Sequence, residues 1–266
     1  MGIPVIQEIL LRHIRSAVAD EIPSADIPIA RVKDIATIRY ISAIALKLAS
    51  VQPRSPVEIA GAIATPEMEK SGIIATVLES GMMQFDLTDA AVADWLHKMT
   101  QIPFPETGYS RDSDSLDSPL FPIQYAHARC GSLLRMAHRD RLITLADPDP
   151  AIAPKLWKWA EPAAVPWLDE AGKLRSLDRA EMELISQLIN TVDICYFPPR
   201  KLRWETVGAG LAEGCDRFFR RCPIWGEVKL NDVELSRFRL GLVVVTQSIL
   251  RFILQEKLGA IAPLEL

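Results

Sequence analysis

Apolar residues recur at three- and four-residue spacing through residues 3–20, "IPVIQEILLRHIRSAVAD", with charges between them, and the pattern predicts an amphipathic helix. In "TIRYISAIALKLAS" the positions Ile38, Ile41, Ala45 and Leu48 form a second helical stripe. Pro56 is placed to open a short helix running through Ile63. The period then changes. "GIIATVLES" and "MMQFDLT" read as two short strands meeting at Gly81, which suits a turn or bulge. A helix over "DAAVADWLHKM" closes what reads as a small α+β domain, residues 1–100.

Residues 101–119, "QIPFPETGYSRDSDSLDSP", are rich in Pro, Ser and Asp and poor in aliphatic residues, as in a linker. Beyond it strand patterns almost vanish. Helices are expected at about 121–140, 176–195, 203–221 and 231–257, the last with Leu235, Phe238, Leu242, Val245, Ile249 and Phe252 on one stripe. Long helices with short connections pack as a bundle, so residues 120–266 are expected to form an all-α domain. The Pro-interrupted segment 147–173 has no readable period. "LGLVVVTQSIL" reads as too short to cross a membrane because Arg239 and Arg251 bracket it, and the charged N-terminal run is no signal peptide. A cytoplasmic protein without a membrane partner is the expectation.

The chain's 266 residues, 49% of them hydrophobic, suffice for two ordinary cores without staples. Cys130, Cys195, Cys215 and Cys222 form no CxxC pair, and only four His are present, so no zinc spacing arises and the cysteines read as reduced thiols. Net charge is −4, but unevenly spread: residues 1–119 hold 10 Lys+Arg against 16 Asp+Glu, residues 120–266 hold 20 against 18. A polyanion would sit on the second half.

No Gly-x-Gly-x-x-Gly or Gly-Lys-Ser/Thr loop occurs, and "GAGLAEG" at 208–214 lies in a helical pattern, so no cofactor or ATP site is expected. His127 and Cys130 are spaced to meet on one helix, as a thiolate pair or, more commonly for an apolar helical face, as core packing. Asp112 and Asp114 read as solvated charge. Basic residues cluster at Arg200, Lys201 and Arg203, and at Arg217, Arg220 and Arg221, with Arg129 and Arg135 on the helix that opens the second half. By charge alone they fit phosphate contacts or an ion-paired surface equally.

The stretch "IQYAHARCGSLLR" resembles the opening helix of the DALR anticodon-binding domain of arginyl-tRNA synthetases. "LAEGCDRFFRRCPIW" is similar to a later segment of that domain, with Phe218, Phe219, Cys222 and Pro223 in register, and "SRFRLGLVVVTQSILRFILQEKLGAIAP" to its last helix and tail, with Gly259, Ala262 and Pro263. In the first half, "IPIARVKDIATIRYISAIALKLASVQPRSPVEIAGAIA" and "ESGMMQFDLTDAAVADWL" resemble the family's N-terminal additional domain. In the family a catalytic Rossmann domain joins these parts and carries a His-x-Gly-His signature and a Lys-Met-Ser-Lys-type loop that hold ATP; here His13, His97, His127 and His138 show no such pair, and the linker cannot house that domain.

The resemblance implies a pseudo-synthetase, without catalytic residues or metal, that binds tRNA as an accessory module of translation. Its alternatives are a protein-interaction scaffold or the tRNA-binding half of a split enzyme. Tyr125 and Arg129 carry over as the anticodon-loop positions, a flat face for a splayed base and a cation four residues on. Three positions depart from the family: Pro122 stands where a Tyr is frequent, Leu266 where the chain usually ends in Met, and Met82 where an aromatic stacks in the tRNA D-loop. Gln84 retains an amide for a base edge. The implied partner is therefore tRNA, with arginine tRNA identity weakened by these departures, or another protein.

Overall fold

The computed structural model describes residues 2–18, 27–32, 37–102, 104, 119–146, 158–175 and 178–265. They divide into two compact units, Val5–Val92 and, with Met1–Pro4, Ala93–Leu266. The architecture is an α+β arrangement followed by helices.

The smaller unit holds α1 (Ile6–Ala17), β1 (Ile29–Arg31), β2 (Arg39–Ser42), α2 (Ile44–Ala49), α3 (Pro56–Ile63), α4 (Pro66–Lys70), β3 (Ile73–Val77) and β4 (Met83–Leu87), and α5 (Asp89–Gln101) begins in it. Its four strands form one antiparallel sheet in the order β1-β2-β4-β3. Tyr40, Met83, Phe85 and Leu87 alternate into the core with Leu10, Ile14, Ile59 and Ile63 from the helices, while Arg39, Ile41, Gln84 and Asp86 take the other face. Ser55 caps α3 through a reciprocal box with Glu58, and Pro56 sits in its first turn, where no N–H is needed. Gly81 makes the β3–β4 turn at φ +82°, where a Cβ would also meet Pro56 at 2.3 Å.

One expectation fails here. Arg39–Ser42 is a strand, and only Ile44–Ala49 is helical. Tyr40 and Ser42 are buried while Arg39 and Ile41 are not, a two-residue period that a helical stripe through Ile38 and Ile41 conceals. Pairing with β1 and β4 on both sides decides the outcome.

The larger unit contains α6 (Phe121–Arg139), β5 (Thr144–Ala146), β6 (Lys158–Glu161), α7 (Arg179–Tyr196), α8 (Trp204–Arg221), α9 (Glu227–Asn231) and α10 (Val233–Phe252), which continues into a π-helical turn, Ile253–Lys257. Helix α10 is the hub, packing against α6, α7, α8 and α9. The antiparallel pair β5–β6 was not legible in the sequence, because strands of three and four residues are too short to show a period. After β6, Trp167 packs edge-on to Phe238 with centroids 5.7 Å apart. Gly241 of α10 permits this approach, since a Cβ there would lie 2.5 Å from the Trp167 ring and 2.6 Å from Val165.

Val233–Lys257 is a 25-residue helix long and apolar enough to cross a membrane, which corrects the length argument drawn from the sequence; 89% of its apolar window is buried within the protein. The predicted linker falls largely outside the described residues, as does 147–157 of the Pro-interrupted segment. Phe104, one of the described residues of the predicted linker, is buried and stacks on Phe252 with ring centroids 4.7 Å apart.

Candidate nucleic-acid interface

Helix α6 carries two different faces. Ile123, His127, Cys130 and Leu134 point into the bundle, whereas Phe121 and Tyr125 remain 47% and 48% exposed. Spaced by four residues, their rings stack with centroids 6.0 Å apart and planes 25° from parallel. Pro122 lies in the first turn of the helix, where its missing N–H costs nothing.

One turn beyond Tyr125, Arg129 lays its guanidinium 4.6 Å over the Phe219 ring, and Nη1 donates to Asp216 Oδ1 at 3.2 Å. Arg220 reaches the other oxygen of Asp216 at 2.6 Å. Phe121, Pro122, Tyr125 and Arg129 of α6 with Asp216, Phe219 and Arg220 of α8 thus line one open cleft of about 360 Å³. Two aromatic faces and two cations, which share Asp216 and have Glu213 also in the lining, can take a planar base beside a phosphate. Tyr125, Arg129, Pro122 and Arg220 were singled out by the sequence, whereas Phe121, Phe219 and Asp216 were not given this role. Phe121 was readable, four residues before Tyr125; Asp216 is brought in only by the packing of α8 on α6.

The thiolate-pair reading of His127 and Cys130 has no geometry behind it. Cys130 Sγ instead lies 3.8 Å from Cys215 Sγ, both buried, and burial pushes the Cys215 thiol well above its ordinary range. His127 is fully buried and its Nδ1 donates to the Pro263 carbonyl at 2.8 Å. Burial holds its pKa down at about 4, against 6.5 ordinarily, so the ring is neutral at pH 7. Between these values the unfolded chain takes up the proton first, so the stability is present above about pH 6.5 and is lost as the pH falls through 4. Urea unfolding at pH 7 and pH 5 should show wild type losing about 2 kcal/mol more than His127→Gln. Equal losses would show that the ring titrates freely.

The tail follows α6. Gln124 donates to the Ile261 carbonyl at 3.2 Å, and Arg135 holds the Leu264 carbonyl at 3.2 Å and the Glu265 carboxylate at 3.1 Å. Leu266 is outside the described residues. The residues before it are anchored at Arg135, roughly 15 Å along α6 from Tyr125.

The remaining basic residues separate into two kinds. On α8, Arg217 pairs with Glu183 at 3.8 Å, Arg220 with Asp216 and Arg221 with Asp178 at 3.4 Å. Arg200, Lys201 and Arg203, in the connection from α7 to α8, are exposed, and no carboxylate among the described residues lies within ion-pairing distance of them. At the start of α8, Lys257 adds a cation 5.1 Å from the Trp204 ring.

In the smaller unit, Gln84 donates its amide to Asp86 at 2.9 Å, and Asp86 is held by Arg39 at 2.6 and 3.1 Å. One of the two amide N–H donors of Gln84 is therefore occupied, while its carbonyl oxygen has no hydrogen-bond partner among the described residues. Met82 is half-buried in the β3–β4 turn, its carbonyl bonded by Leu78 N–H at 2.9 Å. No group of three His, Cys, Asp or Glu suited to a metal occurs among the described residues.

Against known proteins, the chain is 31% identical over 140 residues to arginine–tRNA ligase of Pelodictyon phaeoclathratiforme, an overlap of 52% of this chain and 21% of the ligase. It is 28% identical over 144 residues to arginine–tRNA ligase of Gloeobacter violaceus, with the same shares covered. The chain thus spans about a fifth of the length of the curated relatives it matches. No protein-family model matches it, and no solved structure does. About half of this chain is an arginyl-tRNA synthetase-related region.

Proposed function

We propose that the chain is a non-catalytic, cytoplasmic relative of arginine–tRNA ligase that binds tRNA, with its larger unit acting as a DALR-like anticodon-binding domain and its smaller one as an N-terminal additional domain. The observation that carries this reading is the exposed Phe121–Tyr125 stack opening onto Arg129 and Arg220. Exposed aromatic faces beside cations are the arrangement by which unpaired bases and their phosphates are commonly held. The absence of nucleotide-binding loops and of the two ATP signatures in the sequence supports a module without adenylate chemistry.

The purified chain is expected to bind tRNA in a filter or fluorescence assay, with Tyr125→Ala weakening binding by about 1–3 kcal/mol. Arginine-dependent ATP/pyrophosphate exchange is expected at background. Exchange above background would show an enzyme, and full affinity without the Tyr125 ring would remove the cleft from the reading.

A second reading, a scaffold that packs on another protein, draws on one specific feature. Arg129 and Arg220 share Asp216, and Glu213 also lines the cleft, leaving it less cationic than its arginines suggest. Failure of tRNA to bind at low salt would favour that reading.

A further inference from the structure

Among the described residues, the sheet of the smaller unit ends in an open edge: β3 pairs with β4 alone, and β4 lies between it and β2. Leu78 N–H bonds Met82 O and Thr88 N–H bonds Gly72 O, each at 2.9 Å, which fixes the parity of the ladder. Ile74 and Thr76 therefore direct their amides and carbonyls at β4, opposite Asp86 and Gln84. Those of Ile73, Ala75 and Val77 point the other way, and none has a backbone partner among the described residues.

Edges of this kind are normally blunted by Lys, Pro, a bulge or an inward charge. Here the strand reads Ile-Ile-Ala-Thr-Val, without charge or proline, and its register with β4 is unbroken. Ile74 is 51% exposed and Leu78, just beyond, 39%. Beside the first half of the edge lies a cleft of about 330 Å³, walled by Ala64, Thr65, Pro66 and Glu69 at the α3–α4 connection.

We propose that β3 is a self-association edge, at which two copies of this chain pair antiparallel about Ala75 and continue the sheet across a twofold axis. The strand suits its own copy. In that register Ala75 faces Ala75 of the partner subunit and Ile73 faces Val77 of the partner subunit, so no like charges oppose each other. The partner's strand then runs its second half, toward the exposed Leu78, past the cleft beside Ile73–Ala75, and the twofold repeats the fit. The net charge of −4 makes the pairing weak and favoured by salt.

Sedimentation velocity of the full chain, from micromolar to submillimolar concentration, tests this. A reversible monomer–dimer equilibrium is expected, with the amides of Ile73, Ala75 and Val77 exchanging hydrogen more slowly as concentration rises and those of Ile74 and Thr76 unchanged. Ala75→Pro removes two hydrogen bonds between copies but none to β4, and should weaken the dimer by roughly tenfold or more. Ile74→Lys, which adds a charge without altering backbone hydrogen bonds, should do the same and stands as the check if the proline variant folds poorly. A monomer at every concentration, or a dimer indifferent to both substitutions, would overturn the proposal.

Discussion

Glu181→Leu should cost about 3 to 5 kcal/mol of folding stability. Glu181 is fully buried, and each carboxylate oxygen has its own donor. Oε1 accepts from Arg239 Nε at 2.6 Å, and Oε2 accepts the Asp178 backbone N–H at 2.8 Å, completing the box that caps α7. Arg239, 5% exposed in the middle of α10, also donates to the Pro223 carbonyl. The pair therefore joins α7, α10 and the chain leaving α8. Removing the carboxylate leaves a guanidinium out of water with one neutral acceptor and frees the first turn of α7. Urea unfolding followed by tryptophan fluorescence should show the loss. The companion Glu181→Leu/Arg239→Met should recover most of it, because an apolar pair of similar volume carries no desolvation cost. A single variant within about 1 kcal/mol of wild type would mean that water reaches the site, since exposed pairs are worth no more than that.

How far the sequence reveals this molecule depends on how local each feature is. Ser55 with Glu58 and Asp178 with Glu181 are helix starts written three residues apart, and both form boxes at α3 and α7. Gly81 at a strand turn and the stripe of α10 are likewise local. Arg39–Ser42 was misread because four residues of mixed pattern satisfy either period, and cross-strand neighbours supply the decision. The cleft shows the same limit. Tyr125 and Arg129 share a face by helix geometry alone, but Asp216 and Phe219 reach them only because α6 and α8 run side by side, with Ile123 close to Gly208 and Cys130 to Cys215. Likewise, six basic residues look alike in the sequence, and packing against Asp178, Glu183 and Asp216 is what divides them.

That division predicts which cations a bound RNA would use. Replacing Arg200, Lys201 and Arg203 together with Glu should weaken tRNA binding by about a hundredfold or more at low salt, roughly 2.7 kcal/mol. Each phosphate contact to an unpaired strand contributes about −0.7 to the slope of log K against log salt, so replacing the same three residues with Gln should flatten the slope by about 2. The corresponding Gln variants at Arg217, Arg220 and Arg221 should flatten it by less than about 1, because counterions are released only by cations that reach phosphate. Drawing an α8 arginine away from its carboxylate costs up to about 1 kcal/mol per exposed pair, whereas the loop cations have no such pair to break. The loop ends at Trp204, four residues before Gly208, whose place against Ile123 puts it at the end of α6 that bears Phe121 and Tyr125. A strand with one base on Tyr125 can therefore lay its flanking phosphates over the loop within a few nucleotides. Titrations at several salt concentrations with the two triple variants decide the matter. An unchanged slope for the loop variant would place the phosphate contacts elsewhere on the chain.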